Sequence, residues 1–246
     1  MRLSLKGIKL PNPMVWGVLL ICSIPYVLNL FGFDFGSTQG ALDSSNQIDL
    51  TSLGSRLHAV LEWIAVCIAI LTVILAFSHY GITRDITTPI IGTALFFAGI
   101  MDAFHALSVN RLIPVASSDI QNLMPFTWVM GRIFNALIIV SGTSFLLMMA
   151  EGEEKKIKKR EGIGFLLLMI LFFGIFTAAF MHTCLTSEVL PKAMFPGVAV
   201  SWPFDLIPLF IFLIAGLFVY PRFYRKFPNL FSFGILVGVI PEILTQ

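Results

Sequence analysis

Histidines and carboxylates spaced for one helix face stand in apolar surroundings at two places in this chain. His58 and Glu62 are four residues apart, and Asp102 and His105 are three apart. At ~3.6 residues per helical turn, both spacings bring the two side chains to one face. Imidazole with carboxylate suits Zn, Cu, Fe or Ni, so His58, Glu62, Asp102 and His105 form a candidate four-ligand site for a divalent transition metal. A third stretch sets Trp128, Arg132 and Asn135 at spacings of four and three. With His182 and Glu242, which follows the kink-prone Pro241, these residues form a candidate ligand-binding set. Other chemistries find no footing: the sequence carries no phosphate-binding glycine loop, zinc-hydrolase motif or nucleophile elbow. Cys22, Cys67 and Cys184 are scattered, without paired metal spacing, and are expected to pack rather than to react.

The elements that must position these residues are membrane helices. Hydrophobic residues make up 57% of the 246 and charged ones only 12%, which argues against a soluble fold. A hydrocarbon layer about 30 Å thick takes ~20 apolar residues per helical crossing. Seven such windows are present, at Met14–Phe33, Leu57–Phe77, Thr88–Leu107, Phe126–Ala150, Ile163–Met181, Pro203–Tyr220 and Leu230–Gln246. They are continuously apolar instead of alternating, which sets a β-barrel aside. The first window follows Arg2, Lys6 and Lys9 but has a long core and no clear cleavage site, so it reads as a retained helix. The expected fold is therefore all-α: a polytopic transmembrane bundle with seven helices in this chain, forming one domain over 1–246.

Loop charge sets the expected threading. With the N-terminus inside, twelve loop Lys and Arg fall in the cytoplasm, five of them within Glu151–Glu161, and only Arg56, Arg111 and Lys192 fall outside. The remaining basic residue, Arg132, lies within the fourth helix. Asp34–Arg56, Ser108–Pro125 and His182–Trp202 then become external loops, candidate lids over a site. Seven crossings leave Gln246 outside, in an apolar segment with no charged anchor, so the chain is expected to be a fragment with an eighth helix beyond it.

At ~1.5 Å per residue, Glu62, Asp102, Arg132 and Glu242 all come out in the outer third of the bundle, with His182 and Asp205 at its boundary. A charge within a bilayer costs at least ~2.5 kcal/mol, so those present usually face inward and mark function. Three carboxylates against Arg132 leave an excess that requires carboxyl protonation, protonated His58 or His105, or a bound cation. The plainer alternative is a structural ion pair between Glu62 and Arg132.

His58-Ala-Val-Leu-Glu62, Gly99-Ile-Met-Asp102-Ala-Phe-His105-Ala-Leu and Trp128-Val-Met-Gly-Arg132 resemble the multi-pass membrane-associated sensor domains that precede bacterial diguanylate cyclases and histidine kinases, the third type of that group most of all. The resemblance covers mainly residues 57–147, with Pro241–Gln246 agreeing more loosely. It implies a sensory input module of the bacterial inner membrane that governs a cytoplasmic output domain further along the full-length chain. This part of the chain is then no enzyme, and its partners are membrane lipids, that output domain and a second copy as a homodimer, with no nucleic acid. Two other classes compete. His58 and His105 could ligate a b-type haem in a redox protein. A transporter or intramembrane enzyme also carries buried charge, although no inverted repeat is visible and the polar groups do not cross both leaflets.

The threading predicts that, in intact spheroplasts, an impermeant thiol reagent reaches a cysteine placed at Ser44 and misses one at Lys156. The opposite labelling pattern would reverse the topology.

Overall fold

A computed structural model describes residues 12–31, 53–117, 119–150, 159–195, 197, 201–228 and 230–244. Among the described residues there are seven helical segments and no strand. They are α1 (Asn12–Leu30), α2 (Leu53–Thr83), α3 (Thr87–Val109), α4 (Ile120–Ala150), α5 (Lys159–Thr186), α6 (Pro203–Lys226) and α7 (Leu230–Leu244). Five of them, α2 to α6, contain apolar stretches of 23 to 28 residues, long enough to cross a bilayer. Most of the expected external loop after Asp34 and of the Glu151–Glu161 turn lies outside the described residues.

The bundle is organised around α3. Two thirds of its apolar stretch, 67%, is buried, against 11% for α2 and 22% for α5. The reason is composition: Thr87, Thr88, Gly92, Thr93 and Gly99 are small enough for neighbouring backbones to approach. α2 takes that opportunity. A Cβ on Gly92 would stand 2.5 Å from the Ala76 methyl, and one on Gly99 would stand 2.5 Å from the Ala69 methyl. The two contacts are seven residues apart on both helices, so they recur along one seam. α4 and α5 cover the rest of α3 through Phe97, Met101, Phe104, Ile138 and Phe173. The outward faces of α2 and α5 present Leu71, Leu75, Leu167, Leu171 and Ile175, each more than half exposed, as lipid-facing residues should be.

Several helices run beyond the expected windows, α2 to Thr83 and α5 to Thr186 among them, and α4 and α6 differ in ways that bear on the site. α4 begins at Ile120, not at Phe126, because Asp119 accepts from the Asn122 amide through both Oδ1 (3.2 Å) and its carbonyl (3.3 Å) and carries the helix start upstream. Pro125 lies in the second turn of α4, where one backbone hydrogen bond is lost. The connection between α3 and α4 is shortened accordingly. α6 is not one regular helix: a 3₁₀ turn at Pro203–Asp205 and an α segment Leu206–Ile214 lead into a π segment at Ala215–Val219. Pro221 follows at once, and the wider π turn relieves the clash its ring would make with the preceding turn.

The α2–α3 seam yields a stability prediction. Gly99→Ala should gain ~0.5–1 kcal/mol of helix propensity but lose ~1–3 kcal/mol to overpacking. The purified protein should therefore melt several degrees lower, whereas Gly238→Ala on α7, with nothing within 4 Å of the added methyl, should not. Equal melting of Gly99→Ala and the parent would rule out this close approach.

Candidate functional site

Two groups of polar side chains meet inside the bundle, and an indole joins them. In the first group, Nε2 of His105 lies 3.3 Å from Oε1 of Glu62, connecting α3 to α2. On the other side of the ring, Nδ1 lies 2.7 Å from the Thr127 hydroxyl of α4. His105 is buried, at 5% exposed. Two lone pairs cannot face each other at 3.3 Å without cost, so the gap between Nε2 and Oε1 must hold a hydrogen or a cation. The Thr127 hydroxyl decides how. When it donates to the Leu123 carbonyl (2.9 Å), Nδ1–H donates to it, and the bridging hydrogen is an additional proton. When it turns onto Nδ1, a neutral ring suffices and Nε2–H bridges to Glu62. One hydroxyl rotation thus separates two proton inventories.

The second group ties α4 to α7. An Nη of Arg132 sits 2.8 Å from Oε2 of Glu242, and the other donates to the Glu242 carbonyl at 3.2 Å. Asn135, one turn further along α4, donates through Nδ2 to Oε1 of the same carboxylate at 3.2 Å. Both carboxylate oxygens of Glu242 are therefore held from one helix face. Trp128 lies between the groups, its ring 5.8 Å from that of His105 and 5.2 Å from the Arg132 guanidinium carbon. Asp102 completes the cluster. Its Oδ1 would be 3.9 Å from a Cβ on Gly131, ordinary van der Waals range, so the carboxylate lies beside α4 at that glycine. Glu62, His105, Arg132 and Glu242 all lie within electrostatic reach of it.

Of the expected site residues, Glu62, Asp102, His105, Trp128, Arg132, Asn135 and Glu242 thus gather from α2, α3, α4 and α7. The pairing differs from the ion pair considered from the sequence: Arg132 takes Glu242, and Glu62 takes His105. The reason is azimuth, since Arg132 and Asn135 share the side of α4 that faces Glu242 on α7, while His105 stands between Glu62 and Thr127. His58 carries a side chain outside the described residues. His182 is exposed towards the end of α5. Among the described residues no three His, Cys, Asp or Glu side chains form a group that could hold a metal ion. A haem iron at His105 would have to displace Thr127 or Glu62 from a ring nitrogen, because both nitrogens are engaged.

The sequence reading passed over Thr127 and Gly131. Thr127 stands next to Trp128 on an apolar helix and shows no motif of its own, and Gly131 matters only because α3 passes beside it. Asn122 is a third such residue, with a positioning task. It donates to the carbonyls of Leu190 and Pro191 and accepts from the Ala193 amide, each at 3.1 Å, so the segment after α5 is fastened to the start of α4.

In comparisons with known proteins, the family model of a membrane-associated sensor domain, MASE3, matches residues 55–245. No curated protein and no solved structure matches the chain.

The Arg132–Glu242 contact predicts strong coupling between α4 and α7. The two side chains are 14% and 26% exposed, so removing either should leave a poorly solvated charge and cost about 3 kcal/mol. Arg132→Gln with Glu242→Gln together should cost clearly less than the two singles summed. Additive melting shifts in that double-mutant cycle would mean the pair is not formed.

Proposed function

Because the chain belongs to the MASE3 family of membrane-associated sensor domains, we propose that it is the sensory input module of a larger signalling protein, with the polar cluster as its receiver. The observation that supports this is the gap between Nε2 of His105 and Oε1 of Glu62, which takes a hydrogen, from a neutral or a protonated ring, or a metal ion in its place. Tetrahedral ligands at ~2.0–2.1 Å from a zinc ion lie ~3.3 Å apart, so the same two atoms suit adjacent positions on such an ion. His58, one turn from Glu62, is the candidate for a third ligand, since Asp102 does not join Glu62 and His105 in a three-ligand group as they stand. A transporter or redox role has no comparable observation behind it.

Transmission follows from the connection through Trp128 to Arg132. Gain or loss of a positive charge at His105 changes the field at the guanidinium, and Arg132 with Asn135 is what holds α7 through Glu242. A stimulus must favour one of two helix arrangements to be transmitted at all. In this proposal the two arrangements differ in the seating of α7 on α4. In this reading the N-terminus is in the cytoplasm and the receiver in the outer third of the inner membrane, under the external loops, which the bias of loop Lys and Arg supports. The output lies in the cytoplasm beyond this region, and a homodimer would present two copies of α7 to it.

The test uses the purified chain in nanodiscs, with Cys22, Cys67 and Cys184 replaced and spin labels at the exposed Leu137 of α4 and Leu244 of α7. The interlabel distance should change on adding micromolar Zn²⁺ or on acidification. In the metal form, affinity falls on acidification, since imidazole must be neutral to coordinate. Thr127→Val, which removes the outer partner of the ring, should weaken metal binding about 10–100-fold, and His105→Ala should abolish both responses. A distance indifferent to both metal and pH would remove cations and protons as the stimulus.

A further inference from the structure

A cleft of about 270 Å³ lies beside the cluster, with α2 and α3 facing α6 and α7 across it. Its wall is apolar, formed by Ile91, Leu95, Ile139, Phe212, Ile235 and Val239 among others, and is interrupted by Tyr220 and Glu242. Tyr220 is 1% exposed, and its hydroxyl has no hydrogen-bond partner among the described residues. A buried hydroxyl left unpaired costs ~1–3 kcal/mol, so the position calls for an occupant that bonds to it. The π segment Ala215–Val219 immediately precedes Tyr220, and such segments recur at functional sites.

Gly234 and Gly238 add an independent observation. They stand one turn apart on α7 along the cleft, and among the described residues a Cβ at either would meet nothing within 4 Å. At Gly92 and Gly99, by contrast, glycine admits a neighbouring helix. Along the cleft no described atom takes the place of the missing side chains. A helix-interior glycine costs ~0.5–1 kcal/mol relative to alanine, and nothing in the packing around these two requires it.

We propose that this cleft binds an uncharged single-chain amphiphile from the bilayer, its hydroxyl-type head hydrogen-bonded to Tyr220 and its tail lying along Ile235 and Val239. The head is uncharged because Glu242 is already matched by Arg132 and Asn135. An anion would face that carboxylate, and a cation would have to displace the guanidinium. A hydroxyl can donate to or accept from Tyr220 without disturbing either. Glu242 belongs to both the cleft and the polar cluster, so any effect of occupancy on signalling rests on the sensory reading above, while binding itself does not.

The test is photolabelling of the purified full chain in nanodiscs with a diazirine-bearing twelve-carbon alcohol, mapped by mass spectrometry. Label should enter the peptide after Lys226, which carries α7, and 1-dodecanol should compete while dodecanoate and dodecyltrimethylammonium do not. Gly238→Leu and Gly234→Leu should each cut α7 labelling at least tenfold and leave labelling of the lipid faces of α2 and α5 unchanged, which also reports that the variants are folded. Tyr220→Phe should raise the 1-dodecanol concentration for half-competition about tenfold. Undiminished α7 labelling in the folded leucine variants would overturn the proposal, as would equal competition by dodecanoate in the unaltered chain. Either failure leaves the responses to metal and pH untouched, so the two proposals fail separately.

Discussion

Polar and ionised groups inside a hydrocarbon layer have to find one another, because the bilayer core supplies no water to solvate them. In this protein the ionised groups of the cluster meet that requirement between helices. Glu62 reaches from α2 to His105 on α3, His105 reaches on to Thr127 on α4, and Arg132 and Asn135 reach from α4 to Glu242 on α7. Each link joins a different pair of helices, so the polar cluster ties four helices of the bundle together at one level.

Such links require backbones close enough for short side chains to touch. The small residues of α3 meet that need on the α2 side, where Gly92 and Gly99 lie directly against Ala76 and Ala69. On the α4 side Asp102 comes beside Gly131, within ordinary van der Waals range of a Cβ there. The apolar core built from Phe97, Phe104, Phe134 and Phe173 then fixes α3, α4 and α5 relative to one another. A second and smaller core of Ala136, Phe212, Ala215, Tyr220 and Val239 joins α4, α6 and α7. The cleft lies along the boundary between them. Tight packing around α3 and looser packing around α7 suit a receiver that stays put and an element that can be reseated, which is the division of labour expected of a sensory module.

Much of this was legible in the residues themselves. Continuous apolar windows of about 20 residues admit little besides membrane helices, so the all-α bundle and the number of segments followed from length and composition. Spacings of three and four fixed which side chains share a face, and a constant rise per residue fixed their depth. On those grounds alone Glu62, Asp102, His105 and Arg132 belonged to one layer. Their short motifs were also enough to suggest the sensor family to which the chain belongs.

What one helix presents to another could not be read in this way, because periodicity fixes an angle about a helix's own axis and not the angle between two helices. The azimuths come from packing: glycines that pull α2 onto α3 turn His105 towards both Glu62 and Thr127, and the same arrangement leaves Arg132 to Glu242. The π segment ahead of Pro221 shifts the register of α6 near Tyr220, which lines the cleft, an irregularity that no 3.6-residue pattern predicts. The helix count, the faces and the polar layer were thus determined by sequence, through hydrophobicity and local geometry. The partners within that layer, and the open space beside it, were decided only by the tertiary structure, because they depend on where backbones from distant parts of the chain come closest.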